Sequence, residues 1–126
     1  VMKVLKSNYT VDETIQTIVG RDSQLSGTLN TENAIRVEGD FSGEINSQGT
    51  VYVGMNSVVK ANINAMKLVV AGEIQGDVEV VDSIEIFSTG MIVGDITGKK
   101  LIVDEGAVFR GKVNMELIAP GRIDER

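Results

Sequence analysis

The stretch LIVDEGAVFRGKVNM, residues 101–115, decides the fold. It opens on an apolar triplet, turns at an acidic pair followed by Gly106, and closes on an alternating segment. In that segment Phe109, Gly111 and Val113 share one face, and Arg110 and Lys112 share the other. A period of two is that of a half-buried β-strand. Working outward, the rest of the body reads as copies of this unit.

The triplet, apolar at its first and third positions, recurs as Ile35-Arg36-Val37, Val51-Tyr52-Val53, Leu68-Val69-Val70, Ile84-Glu85-Ile86, Leu101-Ile102-Val103 and Leu117-Ile118-Ala119. Its first residues are spaced 16, 17, 16, 17 and 16 apart. The alternating segment, apolar-x-small-x-apolar, recurs at Leu25-Gly27-Leu29, Phe41-Gly43-Ile45, Val59-Ala61-Ile63, Ile74-Gly76-Val78, Ile92-Gly94-Ile96 and Phe109-Gly111-Val113. A unit this short cannot bury its own apolar face, and stacking successive units buries a continuous column. The expected architecture is therefore all-β: one domain, a parallel β-helix of about six coils of 16–17 residues, each with about three short strands. The recurring small residue is expected where a narrow interior bends the chain inward.

Composition agrees. The chain has 126 residues, 14 of them Gly and one Pro, at Pro120, which favours short strands and tight turns. It contains neither Cys nor His, so disulfides, thiolate metal sites and His-based catalysis are excluded. No apolar run reaches the roughly 20 residues that span a bilayer as a helix. The net charge of −6 lies between two neutral ends. An acidic body argues against nucleic acid as the main partner.

Three parts follow. Residues 1–16 form an N-terminal tail, 17–119 the β-helix, and 120–126 a solvated tail after Pro120, which cannot donate to a ladder. At the start, Met2, Val4 and Leu5 alternate with Lys3 and Lys6. The plain reading is a frayed terminus. The sharper one is a weak anchor on the inner membrane surface, effective when many copies act together. Residues 10–19 carry Thr10 and Glu13 at capping-box spacing but are rich in β-branched residues, so an extended segment or one short helical turn is expected over the first coil.

Two surfaces stand out. A β-helix has two open ends with unpaired backbone groups and an exposed apolar column. The ends here are expected at Leu25 and Leu29 on one side and at Phe109, Val113, Leu117 and Ile118 on the other. The second surface is the outward position of the triplet, where Tyr52, Val69, Ile102 and Ile118 form an apolar stripe suited to lateral contact between rods. The plain alternative is ordinary β-propensity on a solvated face.

Other β-helix functions fit less well. Hexapeptide-repeat acyltransferases and their carbonic-anhydrase relatives use a strict 18-residue coil and a His, both missing here. The candidate carboxylates Asp104-Glu105, Glu38 with Asp40, and Glu73 with Asp77 lie in turns, where such groups are usually solvated. Asp and Glu are not expected to recur at one coil position, so no ladder of calcium ligands is expected. Nor is there the regular Thr array of an ice-binding rod; an extracellular adhesion rod is a further alternative.

Taken in order, TIVGRD (17–22), LSGTL (25–29), IRVEGDFSGEI (35–45), VVAGEIQGDV (69–78), MIVGDI (91–96) and GAVFRGKV (106–113) resemble the bactofilins, polymer-forming bacterial cytoskeletal proteins. The resemblance implies a right-handed β-helix and no enzymatic activity or cofactor. It also implies nucleotide-independent end-to-end filaments without polarity, and a cytoplasmic, often membrane-attached scaffold for cell-envelope proteins.

Overall fold

The computed structural model describes residues 15–120, with side chains over 17–116. It is a parallel β-solenoid of about six turns, and among the described residues there is no helix. At the usual ~4.8 Å between strands the stack is roughly 29 Å long. The first turn holds β1 (Ile15–Val19) and β2 (Gln24–Thr31), the second β3 (Ala34–Val37) and β4 (Asp40–Ser47). β5 (Thr50–Val53) and β6 (Val58–Ala65) make the third; β7 (Lys67–Val70), β8 (Glu73–Gln75) and β9 (Val78–Val80) make the fourth. The fifth has β10 (Ser83–Ile86), β11 (Met91–Val93) and the start of β12 (Ile96–Val103). The sixth has the rest of β12, β13 (Val108–Arg110) and the start of β14 (Val113–Pro120). All pairings are parallel, each between a strand and its counterpart in the next turn.

The alternating segment stacks in register through every turn. Leu25, Phe41, Val59, Ile74, Ile92 and Phe109 form one inward column. Leu29, Ile45, Ile63, Val78, Ile96 and Val113 form another. The triplets supply the third wall: Ile35, Val51, Leu68, Ile84 and Leu101 stack with their partners two residues on. These aliphatics fill the core, buried throughout the middle turns. No buried side-chain polar atom among the described residues lacks a partner.

Two expectations are corrected, and one is decided between its two alternatives. The corner glycines are not in a narrow interior: Gly43 and Gly111 are exposed, and Gly76 and Gly94 half-exposed. They are required because the chain turns there at φ of 130–146°, and because a Cβ on Gly43, Gly76, Gly94 or Gly111 would collide with the carbonyl oxygen of the same corner one turn below. Second, Ile15–Val19 forms a strand paired to β3, so this part of the first coil is extended and not a helical turn; residues 10–14 lie outside the described residues. Third, the last triplet is displaced by one residue. Leu101 pairs with Ile118 and Ile102 with Ala119. Ile118 thus stands at the register position of the inward column, and Ala119, not Ile118, follows Ile102 in the stripe.

Candidate polymerisation ends

The two ends of the solenoid differ from its middle in one respect, the covering of the inward columns. At the N-terminal end, β1 and β2 are each paired on one side only among the described residues. Leu25 is 43% exposed and Leu29 half-buried, whereas the residues stacked on them, Phe41 and Ile45, are 1% and 0% exposed. The corner glycine repeats the pattern. A Cβ on Gly27 meets nothing within 4 Å, while its counterparts meet the turn below. Among the described residues, nothing fills beneath the first turn the seat that the turn below fills elsewhere.

At the C-terminal end, among the described residues, β13 pairs only with β11, and β14 only with β12. Phe109 and Met115 are partly buried against the core, and Val113 is 38% exposed over a fully buried Ile96. Phe109 stacks on Ile92 as the last member of its column, so its ring closes the core imperfectly at that opening. Leu117 and Ile118 pair with Lys100 and Leu101, so β14 begins a further turn above β12. The predicted end residues thus fall into two groups at opposite ends of the stack. Among the described residues no helix covers either group.

Three of the candidate carboxylates, Glu38, Glu73 and Asp77, have structural partners. Glu38 pairs with Arg36 Nε at 2.8 Å, and Glu73 accepts from Gln75 Nε2 at 2.7 Å. The residue after the corner glycine or alanine forms a ladder. The Asp77 N–H donates to Asn62 Oδ1 (3.1 Å), the Asp95 N–H to Asp77 Oδ1 (3.2 Å), and the Lys112 N–H to Asp95 Oδ1 (3.1 Å). Asp77 and Asp95 therefore do recur at one coil position, contrary to expectation. Their oxygens accept the backbone N–H of the next turn, where the glycine bend interrupts the regular ladder. Among the described residues no group of three acidic side chains converges on a metal position. A second ladder, Asn64 Nδ2 to Asn46 Oδ1 (2.8 Å) and Asn46 Nδ2 to Asn30 Oδ1 (2.9 Å), ties the first three turns.

The lateral stripe is present in part. Tyr52 and Val69 are half-buried outward residues of adjacent triplets and Ile102 of a later one; Glu85 interrupts the stripe between Val69 and Ile102, and Arg36 precedes Tyr52. The structure adds Ile18, 63% exposed, at the first position; it was missed because Thr17 hides the triplet Thr17-Ile18-Val19. Met2, Lys3, Val4, Leu5 and Lys6, the membrane-anchor residues, lie outside the described residues. Among the described residues no helix is long and apolar enough to cross a membrane.

A parallel solenoid with an apolar column and, among the described residues, open ends defines a class of structural rods whose ends are edges for further stacking. The chain belongs to the bactofilin family: the family model described as polymer-forming cytoskeletal matches residues 17–114. Bactofilin BacP of Myxococcus xanthus (strain DK1622) is 35% identical over 121 residues, 96% of this chain and 49% of that protein. The chain thus spans about half the length of that relative. Bactofilin BacO of the same organism is 27% identical over 101 residues, 80% of each chain. The fold matches a Thermus thermophilus bactofilin solved in double helical filaments, with a TM-score of 0.71 and 24% identity over 79% of this chain and 99% of that one.

Proposed function

We propose that the chain is a structural cytoskeletal protein, not an enzyme, that joins end to end into filaments without nucleotide. The observation that carries this reading is the exposure of the same inward columns at both ends, at Leu25 and Leu29 and at Phe109 and Val113. Burying those groups against a second copy removes apolar area from water and pairs the free strand edges, and both terms favour association. Joining like end to like end makes each junction two-fold, so the filament has no polarity. The tail Met2–Lys6 places the filament on the cytoplasmic face of the membrane through many weak contacts. There it is a scaffold for cell-envelope proteins.

High-speed sedimentation of the purified chain, with and without ATP or GTP, tests the proposal. Equal pelleting in all conditions is expected. A supernatant holding the whole protein as monomer at tens of micromolar would overturn it.

A further inference from the structure

Each triplet exposes one central residue, and these stack into the outward column Ile18, Arg36, Tyr52, Val69, Glu85, Ile102 along one face of the rod. The order is apolar, positive, two bulky neutral residues, negative, apolar. We propose that this face pairs with the same face of a second copy of the chain running antiparallel, about a two-fold axis between the Tyr52 and Val69 levels. The proposal rests on the filament reading and names the lateral partner and its register.

The antiparallel register follows from the order of residues. With the axis at that level, Ile18 meets the second copy's Ile102, Arg36 meets Glu85, and Tyr52 meets Val69. Moving the axis by half a turn either way sets Arg36 or Glu85 against an apolar residue. A parallel pairing in register sets Arg36 on Arg36 and Glu85 on Glu85, which like charges disfavour. With the strand direction kept, the small, half-buried residues Gly54 and Ala71 meet at the centre.

The charges are available. Arg36 uses Nε toward Glu38, and its side chain is 51% exposed, so the rest of the guanidinium fork is open to a second carboxylate. Among the described residues no ion pair reaches Glu85. The face is about 10 Å wide and 29 Å long, so it offers roughly 300 Å² per copy. That is well under the ~800 Å² per partner of a stable complex, so single rods do not pair. In a filament the contact repeats at every subunit, and many weak contacts act together. Where the two-fold of each junction runs along the normal to this face, alternating subunits offer it up and down on one side, and an antiparallel match then serves every subunit.

Charge reversal tests the face separately from the ends. Filaments are collected at high speed and paired filaments at low speed, and widths are measured by negative-stain microscopy. Wild-type filaments should be two rods wide. Arg36→Glu and Glu85→Arg should each keep the high-speed yield and cut the low-speed fraction at least threefold, leaving single-rod widths. The double reversal should restore the wild-type fraction. Single-rod filaments from the wild type, or unchanged pairing in both single variants, would overturn the proposal. Loss of wild-type filaments from the high-speed pellet would instead strike the end-to-end reading, and this proposal with it. Arg36→Glu alone could disturb its contact with Glu38; Glu85→Arg repeats the test away from that pair.

Discussion

Phe41 stacks on Leu25 in parallel register, yet one is 1% exposed and the other 43%. The two residues occupy the same place in successive turns. They differ in that, among the described residues, Phe41 has a turn on each side and Leu25 has a turn on one. The same contrast holds between Ile96 and Val113 at the other end. The inward columns are thus open at both ends of the described solenoid, and the following predictions come from that.

The corner glycines separate folding from assembly. Gly94→Ala places a Cβ against the Gly76 carbonyl oxygen and holds a non-Gly residue at φ 144°. The backbone conformation alone costs about 1–3 kcal/mol. Gly27→Ala carries the same kind of strain at φ 132° but meets nothing within 4 Å. Thermal unfolding followed by circular dichroism should show the larger fall in Tm for Gly94→Ala.

Ser57 tests the turn packing. Its buried hydroxyl donates to the Gly39 carbonyl at 2.6 Å, tying the turn between β5 and β6 to the shorter turn between β3 and β4 below. Ser57→Ala leaves that carbonyl without its partner and should cost about 1–3 kcal/mol. Denaturant unfolding should report this loss while filaments still form, because Ser57 lies far from both ends.

The frame of the core was legible in the residues, and the reasons are specific. Phe41-Gly43-Ile45 and its copies have one inward parity, polar outward neighbours and a glycine at a fixed corner, so a one-residue slip would expose the whole set. Leu117-Ile118-Ala119 lacks that contrast. Three apolar residues in a row fit two registers, and pairing to β12 selected the one with Ile118 beside Leu101. The stripe lost Ile118 and gained Ile18 for the same reason: parity is silent where neighbours share polarity or where Thr17 takes an inward place. The Asn62–Asp77–Asp95 ladder was hidden by uneven turns. Successive members are 15 and 18 residues apart, while the triplets average this to 16 and 17. The recurring small-Asn/Asp-apolar string at these corners was the available signal.

Removal of residues 1–8 separates assembly from attachment. None of the described pairings involves them, so high-speed pelleting should be unchanged. Co-flotation with vesicles containing anionic lipid should fall, because Lys3 and Lys6 and the apolar residues between them are lost. Equal flotation of both forms would remove the anchor.

The central claim is that the two open ends are the junctions, and the most direct test is the mass of end-blocked variants by sedimentation velocity. Phe109→Arg puts a charge into the C-terminal opening, and Leu25→Arg into the N-terminal one. An unpaired buried charge costs several kcal/mol and occurs twice at a two-fold junction. Because stacking is nearest-neighbour, the middle turns should keep their β-rich spectrum. Each single variant should stop at a dimer joined through its intact end, and the double variant at a monomer. Filaments of normal length from either single variant would contradict the account.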